Sequence, residues 1–92
     1  MHTDEYEISI AREVNYCERV VRETGEKLAA RRERYGMDCA AAAAAAAAGR
    51  LAIPAEELAA WQEDVEALPR WEQRLDEYRQ ALAEMRISAS RF

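Results

Sequence analysis

Residues 35–50 read Tyr35-Gly36-Met37-Asp38-Cys39, then nine alanines from Ala40 to Ala48, then Gly49-Arg50. Gly36 can take the left-handed conformation that closes a helix without a Cβ clash, and Met37 can then fold back over the last turn. Asp38 is a good N-cap for a short helix over about 39–48, which Gly49 closes. Alanine has the highest helix propensity, but some ten residues alone are marginal in water. The alanine helix must therefore dock on its surroundings, and its small side chains allow a close approach. The stretch predicts a place where the chain turns between two arms.

Both arms repeat apolar residues at helical spacing. The first, over about 4–35, keeps a seven-residue register: Ile10, Val14, Cys17, Val21, Thr24, Leu28, Arg31 and Tyr35, widened by Ala11 and Val20. Steps of four and three put these side chains on one face and favour a supercoiled neighbour. Glu18 with Arg22, and Glu23 with Lys27, are spaced to support the outer face. The third segment, over about 54–86, starts at Pro54 with Glu56 and Glu57 near the positive end of the helix dipole. Its apolar series is Leu58, Trp61, Val65, Leu68, Trp71, Leu75, Tyr78, Leu82 and Met85. The repeated step of three at Leu68 to Trp71 reads as a phase slip. Pro69 lies inside it, and a kink rather than a break is expected there. Residues 87–92 lack periodicity and are expected to fray.

Charge sets the orientation of the arms. Residues 1–18 carry net −4, 19–34 net +3, 51–69 net −5 with no base at all, and 70–92 net +1. Antiparallel pairing sets +3 beside −5 and −4 beside +1, whereas parallel pairing would put −4 beside −5. The fold class expected is all-α: an antiparallel helical hairpin of two long amphipathic helices joined by a short alanine-rich helix, in a single domain over 1–92. Two helices can each hide only one face, so completion as a homodimer in a helical bundle is expected.

Composition narrows the function. At 92 residues the chain is one small domain, and 20 of its hydrophobic residues are alanine, which buries little surface. The net charge of −5 opposes general affinity for nucleic acid or an anionic membrane, so neither is expected as a partner. Asp4, Glu5 and Glu7 stand where an apolar leader would begin, and no apolar run approaches the ~20 residues needed to span a bilayer. A cytoplasmic location is expected. Cys17 and Cys39 have neither CxxC nor metal-ligand spacing and read as reduced, structural residues.

No residue set assembles an active site. His2 is the lone histidine and has no partner nucleophile or ligand cluster around it. Glu63, Asp64 and Glu66 lack the Glu-x-x-His spacing of a di-metal bundle and read as a solvated face. Gly25, Gly36 and Gly49 do not form a phosphate loop. No enzyme activity, cofactor or metal is expected. Arg31, Arg32 and Arg34 could meet an anionic ligand but would face the acidic third helix in the hairpin. Trp61 and Trp71 lie on the apolar stripe, where core packing competes with a role as interface anchors. With Tyr78, Tyr35, Val21, Leu28 and Leu58 they are the candidate interaction residues.

From Tyr35 to Trp61 the chain resembles small prokaryotic helical proteins, some of them antitoxin components of toxin–antitoxin pairs. The residues that carry the resemblance are Tyr35-Gly36-Met37-Asp38, the short helix, Gly49-Arg50-Leu51, and the acidic helix with Glu56, Glu57 and Trp61. The short helix departs from that pattern, holding alanines where phenylalanines and glutamates would stand. The resemblance implies a non-enzymatic protein–protein interaction module that binds a partner encoded nearby. The alternative is a self-assembling helical hairpin serving as an oligomerisation or spacer unit. Secreted hairpins of the ESX type have similar length, but their Trp-x-Gly turn is missing here.

Overall fold

A computed structural model describes residues 5–90, with side chains as far as Ile87. The described chain is helical and holds no strand: α1 spans Glu5–Tyr35, α2 spans Cys39–Ala47, and α3 spans Ala55–Ser90. His2 and the last two residues lie outside the described residues.

Gly36 and Gly49 both take positive φ, 69° and 75°. Gly36 N–H donates to the Arg32 carbonyl at 2.8 Å, the single-bond left-handed cap of α1. At the end of α2, Gly49 N–H donates to Ala46 O at 3.1 Å and Arg50 N–H to Ala45 O at 2.8 Å. That double bond is a Schellman closure, which satisfies carbonyls the helix would otherwise strand. The Asp38 carboxylate accepts from Ala41 N–H at 2.8 Å, so α2 is capped at both ends. Pro54 is one residue outside α3, its carbonyl accepting from the backbone N–H of Glu57 and Leu58 at 3.1 Å.

The chain divides into two compact units. In the described part of unit 1, residues 5–22 of α1 meet residues 70–90 of α3. Val14, Cys17, Leu75 and Leu82 form its buried centre, with Ile10, Ala11, Val21, Trp71 and Tyr78 packed half-buried around them. Glu7 pairs with Arg86 and Glu18 with Arg79, so partners move back along α3 as they advance along α1. The helices are antiparallel.

Unit 2 spans Glu23–Pro69 and contains the rest of α1, all of α2 and the start of α3. Its buried centre is Cys39, Ala42 and Trp61, surrounded by Leu28, Tyr35, Met37, Leu51, Ile53 and Leu58. Arg31 pairs with Asp64 and Arg34 with Glu57, again antiparallel and again drawn from the +3 and −5 stretches. The marginal alanine helix is held by this centre: Ala42 and Ala45 turn inward, while Ala40, Ala41, Ala44, Ala47 and Ala48 stay exposed.

Two expectations need correction. Val65 is not a core residue of α3, being 43% exposed, and Asp64 takes the inward position instead. The inward series is Glu57, Trp61, Asp64, Leu68, Trp71, Leu75, Tyr78, Leu82 and Met85, all buried or half-buried. Its steps alternate four and three throughout, so there is no phase slip. Hydrophobicity misled because the register is kept by a charged residue, which Arg31 neutralises from the facing heptad position of α1. α3 also continues to Ser90 instead of ending near residue 86. Glu84-Met85-Arg86-Ile87 contains no breaker, and Arg86 is tied to Glu7.

Pro69 sits within α3 without ending it. The carbonyl deprived of a donor belongs to Val65, four residues earlier, and both residues are exposed. Water can bond that carbonyl, which is why the helix tolerates proline on this side.

Candidate interaction surface

The seven nominated interaction residues separate between the units. Tyr35, Leu28, Leu58 and Trp61 gather in unit 2, and Val21, Trp71 and Tyr78 in unit 1. Trp61 is only 2% exposed and stacks on Tyr35 with ring centroids 5.6 Å apart and 26° between planes. It fills the space that the alanines of α2 leave, and is therefore a core residue of this chain. Burial pushes the Tyr35 phenol above its ordinary pKa, and its hydrogen bond with Glu57 pushes it in the same direction.

The basic cluster is largely engaged. Arg31 Nη1 lies 2.7 Å from Asp64 Oδ2, and Arg34 Nη1 lies 3.5 Å from Glu57 Oε1 while its guanidinium covers the Tyr35 ring. Arg32 is exposed. Among the described residues no three His, Cys, Asp or Glu side chains converge as metal ligands, and no helix is long and apolar enough to cross a membrane. Cys17 and Cys39 are buried free thiols. Burial raises the pKa of each; Glu13 adds to the shift at Cys17 and Arg74 opposes it, while Arg31 opposes the shift at Cys39.

Unit 1 is less well covered. Trp71 and Tyr16 meet edge to face at 5.7 Å, and Tyr16 remains 44% exposed. Arg74 lies over Trp71 and Arg19 over Tyr16, at 4.8 and 5.4 Å from the ring centroids. These cation–π contacts keep the aromatic faces partly shielded from water.

An open groove of about 500 Å³ also lies in unit 1, lined by Glu18, Val21 and Arg22 of α1 and Glu72, Leu75, Asp76 and Arg79 of α3. Val21 and Leu75 make the apolar floor. Glu18 and Arg79 pair across it at 2.8 Å. Asp76 accepts a long bond from Gln80 at 3.4 Å, and neither Arg22, Glu72 nor Asp76 has an ion pair within 4 Å among the described residues. Of the nominated residues only Val21 lines this groove. The charged wall residues were missed because each reads alone as a solvated helix position. The signal that could have found them is their place immediately beside the heptad positions Cys17, Val21, Trp71, Leu75 and Tyr78, where charges choose partners in helical bundles.

Comparison with family models, with curated proteins and with solved structures returned no match for this chain.

Proposed function

We propose that this protein is a non-enzymatic protein–protein interaction module whose helical core is completed by association, in the manner of a small antitoxin. The observation that carries the reading is the thin core of unit 1. Four buried residues support five others that remain half-exposed, Trp71, Tyr78 and Val21 among them. Large half-covered aromatic and aliphatic side chains beside charged groups are what a partner surface uses as anchors. The antitoxin comparison rests on the Tyr35–Trp61 pattern, and the partner it implies is a protein encoded nearby. The test is co-expression with the neighbouring gene product followed by two-step purification on a tag carried by each chain. A stoichiometric complex is expected; repeated recovery of the two proteins apart rejects the antitoxin form of the reading.

A second reading is a structural hairpin that associates only with itself. It is favoured by the groove, which carries on one wall a cation and on the other carboxylates that have no ion pair among the described residues. A surface carrying both members of a complementary set can be covered by another copy of itself.

A further inference from the structure

The geometry of the groove points to a second copy of this chain as its occupant, with the two-fold axis running along the groove and Arg22 of each copy meeting Glu72 and Asp76 of the other. The inference rests on the reading that the helical core is completed by association, and it names the surface and the symmetry.

The groove has an apolar floor, Val21 and Leu75, and charged walls. Among the described residues, its α1 wall presents Arg22 with no ion pair, and its α3 wall presents Glu72 and Asp76 in the same condition. The charges left over within one chain are thus opposite in sign and on opposite walls. A closed dimer must use the same patch on both copies, so each contact occurs twice.

Two symmetries bring groove against groove. With the axis along the groove, α1 of one copy lies over α3 of the other at the same level and runs antiparallel to it, as neighbours do in an up-down-up-down bundle. Arg22 then faces the carboxylates of Glu72 and Asp76, while Glu18 of one copy approaches Arg79 of its mate. With the axis across the groove, α1 lies over α1 and α3 over α3. That sets Asp76 against Asp76 and leaves Arg22 only a Glu18 that Arg79 already holds in the same chain. Like charges in direct opposition are strongly disfavoured. The lengthwise axis satisfies the unpaired groups; the crosswise axis does not. In the lengthwise arrangement the aliphatic stems of the arginines fill the groove over Val21 and Leu75 while their guanidinium groups reach the rim.

The experiment uses the full chain in sedimentation equilibrium, with circular dichroism to follow helix content. The variants are Arg22→Glu and the double variant Glu72→Arg/Asp76→Arg. The wild type is expected to dimerise. Each variant alone is expected to raise the dimer dissociation constant roughly a hundredfold, because a two-fold interface counts every repulsion twice. An equimolar mixture of the two variants is expected to recover dimers, since each copy then offers the other an opposite charge at both contacts. No rearrangement within one chain can produce that recovery; the two axes are separated by Glu72→Gln/Asp76→Asn, which would relieve the Asp76–Asp76 opposition and tighten a crosswise dimer but weakens the lengthwise one.

Variants that dimerise as tightly as the wild type would overturn the groove assignment and leave association elsewhere intact. Variants that are monomeric singly and remain so when mixed would overturn the lengthwise symmetry. A wild-type chain that is helical yet monomeric at 100-fold above ~1 μM would reject self-association altogether, and one that then bound a co-expressed neighbour through Arg22 would give the groove to a different protein. Should a charge reversal abolish helicity by itself, Arg22→Gln and Glu72→Gln/Asp76→Asn carry the same comparison. Each of these is expected to weaken the dimer about tenfold, since it removes an attraction without adding a repulsion; no weakening would overturn the assignment.

Discussion

Removing the carboxylate of Asp64 tests the most specific structural finding, a charged pair holding an inward heptad position. The Arg31 and Asp64 side chains are 18% and 25% exposed, with 2.7 Å between their closest atoms. At that distance and an effective dielectric of ~20 the gross attraction is about 6 kcal/mol. Desolvation of both groups offsets most of it. Fully exposed pairs couple by about 0.2–1 kcal/mol, and breaking a buried pair costs about 3–5 kcal/mol. With a fifth to a quarter of each side chain still in water, a coupling of about 1–3 kcal/mol is expected. The assay is a double-mutant cycle in urea with Asp64→Ala, Arg31→Met and the two together, at a fixed protein concentration. Asp64→Ala should be the most damaging, because it leaves the half-buried Arg31 guanidinium without its carboxylate. The double variant should recover much of the loss. A coupling below about 0.5 kcal/mol would mean that the pair contributes no more than a surface contact. A companion measurement separates the two possible registers of α3. Val65→Gln should change stability by no more than about 0.5 kcal/mol, as at an exposed site, whereas Leu82→Ala should cost about 2–5 kcal/mol. A large loss at Val65 would restore the hydrophobic register and refute the inward placement of Asp64.

Three further outcomes follow from packing and capping. Trp61→Ala should destabilise the chain by about 3–5 kcal/mol, read as a thermal midpoint lower by more than 10 °C, because it empties the centre of unit 2 beneath α2; a loss under about 1 kcal/mol would show that α2 is held some other way. Gly36→Ala should cost about 1–2 kcal/mol and Gly36→Asn less, since nothing lies within 4 Å of an added Cβ and the penalty is purely the positive φ; equal melting curves for both variants would contradict this. Folding raises the pKa of Cys17 and Cys39, so the thiols bind protons more tightly in the folded chain than in the unfolded one. Their contribution is complete below the ordinary thiol pKa of 9.0 and is lost as pH rises through the higher folded values. Urea midpoints should therefore fall above about pH 9, and the fall should shrink in Cys17→Val; a pH-independent midpoint would contradict the direction of the shift.

Local signals in the sequence were strong wherever a single residue type has one physical use. Gly36 and Gly49 announce positive φ, Asp38 announces a helix start, and the structure uses all three in those ways. The heptad of α1 was legible because every one of its positions from Ile10 to Tyr35 is buried or half-buried. The heptad of α3 was misread at a single step, since an apolar valine one residue away outweighed an aspartate whose partner lies 33 residues distant. At Trp61 the sequence left core packing and interface anchoring both open, because a buried tryptophan and an anchoring one have the same periodicity; the structure encloses it at 2% exposure. The groove was invisible for a related reason: Arg22, Glu72 and Asp76 are unremarkable until two helices bring them together.

The linear chain determined the helical class, the ends of the helices to within a few residues, and the antiparallel sense of pairing within each unit. These depend on propensity, capping and net charge, which act over a few residues or are summed over long stretches. Tertiary structure decided which side of α3 turns inward, which aromatics are enclosed, and which charges pair among the described residues. Those outcomes depend on pair distances between residues far apart in the chain, and hydrophobicity counted along one strand of sequence contains no such distances.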